Sequence, residues 1–188
     1  MPDLSALFRQ NTLTAMLAHV FNAAGPRTIR TGILLRTYVR VVDKALEDYE
    51  LSRVTFAEFV SRTSNDSLSR LFRATGHMEN CLGSIDRAVR FAKRLSEEAE
   101  LSGVIPPLSV TKRATVRRIA ILRNGTEHLD ARVIAGTISE GDLSAVWMDE
   151  EYLELEGVRV EYIELGSWLS ELHALAVSLA HFKPPTDA

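Results

Sequence analysis

Arg123-Asn124-Gly125-Thr126-Glu127-His128 gathers a guanidinium, an amide and an imidazole within six residues. The guanidinium is always charged and presents a fork of donors that matches phosphate. The imidazole exchanges a proton near neutral pH. Together they suit holding a phosphodiester and moving a proton beside it. The loose spacing Arg-x4-His carries little information alone, because 18 Arg and 5 His in 188 residues give about half a match by accident. The asparagine after Arg123 makes the pattern much rarer, since the chain has only 5 Asn. A second pair, Arg70 and His77, lacks that asparagine and spans Gly76, so it is read as coincidence.

The motif sits late in an apolar-periodic segment, Val110 to Ile138, which predicts a long helix with Ser109 as N-cap and an end near Gly136 or Gly141. On that helix Asn124 and His128 share a face. Arg123 and His128 point about 140° apart. They converge only in a groove, or across a two-fold axis that brings two copies of the helix together. Ile119, Leu122, Thr126, Leu129 and Val133 form the expected core stripe. Ala120, Asn124, Ala131 and Ala135 form a polar face of small residues. Arg117, Arg118 and Arg132, with Lys112 and Arg113, give the electrostatic footprint of a polyanion site.

The elements that must position this helix are mostly helical themselves. Apolar residues recur at helical spacing from Leu4 to Phe21, and Gly25-Pro26 stops that run. A second helix is expected from about Thr28 to Tyr49. Thr55-Phe56-Ala57-Glu58 has the form of a capping box and opens a short one. Leu68 to Leu95 reads as one bent helix, or two, around Gly76. The period changes after Ala145. Tyr152 to Ile163 alternates about Glu156-Gly157 as a β-hairpin, and Ser167 starts a last helix through Phe182. The fold class is therefore mainly α, an up-and-down helical bundle with a small β-hairpin inserted before the last helix. One domain, 1–188, is expected, with 1–26 as an N-terminal helical extension and the hairpin at about 143–164.

Net charge is −3, which argues against a general nucleic-acid coat protein. The distribution says more. Residues 1–139 hold 20 Lys+Arg against 14 Asp+Glu, a balance of +6, while residues 140–188 hold 2 against 11, a balance of −9. The basic surface thus belongs to the helical portion. A single cysteine, Cys81, permits no intrachain disulfide and fits a reducing, cytoplasmic compartment. The N-terminus lacks the pattern of a signal peptide, and no apolar run reaches membrane-spanning length. No metal set is expected, because nothing completes the pair His77 and Cys81. Trp147 and Trp168 are assigned to core packing, and the dense glutamates of the hairpin to its solvent face.

Arg123-Asn124, three residues and His128, late in a long helix of an all-α bundle, resemble the R-x4–6-H motif of the HEPN superfamily. The resemblance spans roughly residues 28–182, but its specific content is those three side chains. It implies a homodimeric helical bundle acting as a metal-independent endoribonuclease, with no cofactor, in a toxin–antitoxin or antiviral defence system. Arg123, His128 and Asn124 are then the catalytic group, RNA the substrate, and an antitoxin or defence-complex protein a further partner. Two features depart from the family. Asp130 stands where some toxin members carry a modifiable tyrosine, and the hairpin is absent from the minimal bundle. The competing readings are a catalytically silent interaction or nucleotide-binding module on the same fold, and an unrelated scaffold in which Arg123 pairs with Glu127.

Overall fold

The computed structural model describes residues 1–8, 28–61, 67–127, 134–136, 146–155 and 157–182. Within these, helix α1 covers Ser5–Phe8, α2 Ile29–Ser61, α3 Ser67–Ser96, α4 Arg113–Glu127 and α5 Tyr162–Ala180. Strands β1 (Trp147–Met148), β2 (Tyr152–Leu155) and β3 (Val158–Glu161) precede α5. The fold is mainly α with a small antiparallel sheet before the last helix, as the periodicities predict.

The long helices pack antiparallel in three successive pairs. Ser52 Oγ donates to the Ala74 carbonyl at 2.8 Å, and at the other end of the same pair Thr31 Oγ1 donates to Glu98, so α2 and α3 run in opposite directions. Tyr38 Oη donates to the Leu172 carbonyl at 2.8 Å and ties α2 to α5. Asp86 meets Arg123 across α3 and α4, while residues ten or so later on α3 meet the start of α4. The spatial order is therefore α4, α3, α2, α5, alternating up and down. Val42, Leu46 and Tyr49 of α2, Met78, Leu82 and Ile85 of α3, and Leu169 and Leu172 of α5 are among the fully buried side chains of the one core. Each contributes about 1.5–3 kcal/mol of transfer free energy when withdrawn from water.

Helix boundaries differ from the sequence reading where two local rules compete. Thr55 does not open a helix; α2 runs through it to Ser61, and Thr55 Oγ1 donates back to the Leu51 carbonyl at 2.7 Å. The buried stripe Tyr49, Ser52, Phe56 continues the α2 face without interruption, and that burial outweighs the capping grammar. Nor does Gly76 divide α3, which is one helix of 30 residues. The final helix begins at Tyr162, earlier than Ser167. Tyr162 is at once the last residue of the alternating series 158, 160, 162 and the first of the helical series 162, 165, 169, 172. Its amide donates to the Glu151 carbonyl at 3.0 Å, which turns the chain from sheet to helix.

The hairpin is as expected, with Gly157 at φ 73°, and a third strand joins it. Leu153 pairs with Val160 and Glu154 with Arg159, so Leu153, Leu155 and Val160 are buried while the charged residues face out. Trp168 is buried, but Trp147 on the edge strand is 49% exposed, contrary to its assignment to the core. The predicted N-terminal helix begins in α1, and its expected continuation over residues 9–27 lies outside the described residues.

Candidate functional site

Arg123 lies in the second half of α4, with Ile119 and Leu122 of the same helix buried against the core. Its side chain is 27% exposed. Its Nε lies 3.9 Å from Asp86 Oδ2 on α3, and its Nη1 donates to Asn124 Oδ1 at 3.1 Å. Asn124 is exposed and Gly125 buried. His128 and Arg132 lie outside the described residues, as do all of residues 128–133, over which the sequence predicts a continued helix.

Asp86 is the residue that sequence reasoning passed over. It falls among Leu82, Ile85 and Val89 on the apolar stripe of α3 and is only 8% exposed. A carboxylate at such a position costs several kcal/mol unless cations meet it. Two do: Arg90, one turn on along α3, donates to Asp86 Oδ2, and Arg123 approaches the same oxygen from α4. An acid on an otherwise apolar stripe, with an arginine four residues later, is the signal that could have marked it. Among the described contacts, the Asp86 carboxylate thus faces two guanidiniums. Arg123 lies over Asp86, half-buried and next to the Asn124 amide.

The rest of the basic footprint divides in two. Arg113, Arg117 and Asn124 are exposed and, at steps of four and seven residues, occupy one face of α4 with Ala120 between them. Arg118 does not join them. Its guanidinium donates to both Glu164 oxygens at 2.6 and 2.9 Å and to the Arg159 carbonyl at 2.6 Å, and lies 5.7 Å from the centre of the Trp168 ring. It binds α4 to the sheet and to α5, so its charge is already committed. The start of α4 is fixed separately. Ser109 is not the N-cap; it lies in a 3-10 turn, Ser109–Thr111, before α4 opens at Arg113. Glu171 of α5 accepts from Ser109 Oγ and from the Val110 amide, the latter at 3.1 Å.

The second Arg/His pair has structural partners. Arg70 Nε is 3.9 Å from Glu58, while His77 Nδ1 lies 3.8 Å from the buried Asp48, which also accepts from Lys44 at 2.8 Å. Cys81 is wholly buried, and desolvation pushes its thiol pKa far up, so it is an inert core residue. Among the described residues no group of three or more His, Cys, Asp or Glu could hold a metal ion, and no helix is long and apolar enough to cross a membrane.

No family model, curated protein or solved structure matches the chain. Fold and side chains together define a class: an up-and-down α bundle with an acidic sheet and one cationic, small-residue helix face.

Proposed function

We propose that this protein is a metal-independent endoribonuclease that acts as a homodimer, in which the polar face of α4 and its copy close over the RNA strand. The observation that carries this reading is the half-buried guanidinium of Arg123, 3.9 Å from Asp86, beside the exposed line Arg113, Arg117, Asn124. Such a line can track a phosphate backbone, and a half-buried guanidinium beside Asp86 and bonded to Asn124 is already placed to meet charge that develops on phosphorus. His128 supplies proton transfer: it takes the 2′-OH proton, or protonates the departing 5′-oxygen. The 2′-oxygen bonds to phosphorus, the phosphorus–5′-oxygen bond breaks, and the products carry a 2′,3′-cyclic phosphate and a 5′-hydroxyl. Arg123 stabilises the pentacovalent phosphate, and Asn124 orients the guanidinium to which it is bonded. Arg117 and Arg132 bind the flanking strand. Arg118, committed to Glu164, contributes to the fold instead.

The wider setting in this proposal is a cytoplasmic toxin or antiviral effector, with an antitoxin or defence-complex protein as the partner that restrains it. The Asp86 contact also favours a second reading, a catalytically silent module in which Arg123 only joins α3 to α4. Expression in a host cell separates the two. The enzyme reading expects growth arrest that His128→Ala and Arg123→Ala each relieve, with both variants folded. Arrest that persists unchanged in both removes these residues from the activity.

A further inference from the structure

A groove of about 650 Å³ opens between the C-terminal half of α3, the loop 105–108 and the start of α4. Its volume falls in the range of small-molecule sites, about 300–1,000 Å³. Val89, Ala92, Ile105, Leu108 and Val116 form its floor, and Pro106-Pro107 its lip. Arg90, Lys93 and Arg113 stand on its rim, and no carboxylate is among the described residues that line it. Asp86 fixes Arg90 at one wall, which reduces the ordering cost of engaging an anion there.

The lining distinguishes among anions. Among the described lining residues no aromatic ring is present to stack a nucleobase, and only the Ser96 and Thr111 hydroxyls could read the edge of one. The floor is wholly aliphatic. From this we infer that the groove is a binding site for an aliphatic-chain anion of medium-chain fatty-acid type, its chain on the floor and its head group among Arg90, Lys93 and Arg113. The inference does not rest on the ribonuclease reading: Arg113 borders both surfaces, but Arg123 is not among the described lining residues.

Calorimetric titration of the full chain with decanoate, decanol, AMP and inorganic phosphate tests it. Decanoate should bind with a negative heat-capacity change and more tightly than any of the other three. Charge reversal at two exposed rim positions, Lys93→Glu with Arg113→Glu, should weaken decanoate by about tenfold or more while the circular dichroism spectrum is unchanged. Val116→Glu, which puts a carboxylate on the floor, should abolish it. Absence of decanoate binding to the folded wild-type protein, affinity indifferent to these changes, or AMP bound as tightly as decanoate overturns the inference.

Discussion

Arg123 is worth most to a phosphate when its fork is held still; Asp86 stands 3.9 Å from its Nε, and Asn124 accepts from its Nη1. Asp86→Asn keeps the shape but removes the charge that meets Arg90 and Arg123. RNA cleavage should then fall by about tenfold or more, with affinity for a non-cleavable 2′-deoxy strand changed less, because positioning rather than net attraction is lost. Arg123→Lys should be as inactive as Arg123→Ala, since a point charge cannot make the forked contact. A separate side chain sets a pH effect. His173 is buried on α5, and desolvation holds its pKa below the usual imidazole value. The folded state therefore disfavours the protonated ring. Its contribution to stability is full above about pH 6.5 and is lost as pH falls toward the depressed folded value. Urea midpoints at pH 8 and pH 5.5 should differ less in His173→Gln than in the wild type. At this scale the sequence showed which residues could do chemistry, Arg123 and Asn124 among them, but not who holds them. Asp86 is thirty-seven positions away from Arg123, and only the α3–α4 packing joins the two.

The elements explain which sequence signals prevailed. Gly157 was legible because a two-residue turn between alternating strands demands φ > 0, and it adopts 73°. Gly157→Val should destabilise by about 1–2 kcal/mol in chemical denaturation, the cost of a branched residue in that conformation. Gly76 was misleading. A Cβ added there meets nothing within 4 Å, so the residue is a surface flaw in a helix that long-range packing keeps whole. Gly76→Ala should stabilise by about 0.5–1 kcal/mol and raise the melting temperature. The start of α4 was misread for a different reason. Ser109 has the right chemistry for an N-cap, yet its hydroxyl is taken by Glu171, sixty-two residues on. Local propensity cannot anticipate a partner from another helix. The same holds for Tyr162, where strand and helix periods agree on one residue and the Glu151 carbonyl settles where the turn falls.

For the whole molecule, the charge separation seen in the sequence acquires a geometry. The acidic glutamates sit on the outward face of the sheet, and Arg113 and Arg117 lie along α4. The polar, small-residue face of α4 is where a second copy of the chain is expected to dock, so light scattering should give a dimer. Ala120→Glu, at the centre of that face, should shift it toward monomer and reduce RNA cleavage in parallel. The ends of the cut strand test the central claim most directly. Purified protein incubated with RNA in EDTA is predicted to leave 2′,3′-cyclic phosphate and 5′-hydroxyl termini and to leave DNA of the same sequence intact, whereas Arg123→Ala and His128→Ala are each predicted to leave the RNA uncut as well. An intact RNA strand with the dimeric wild-type protein, or termini of the same kind at undiminished rate from either variant, would contradict it.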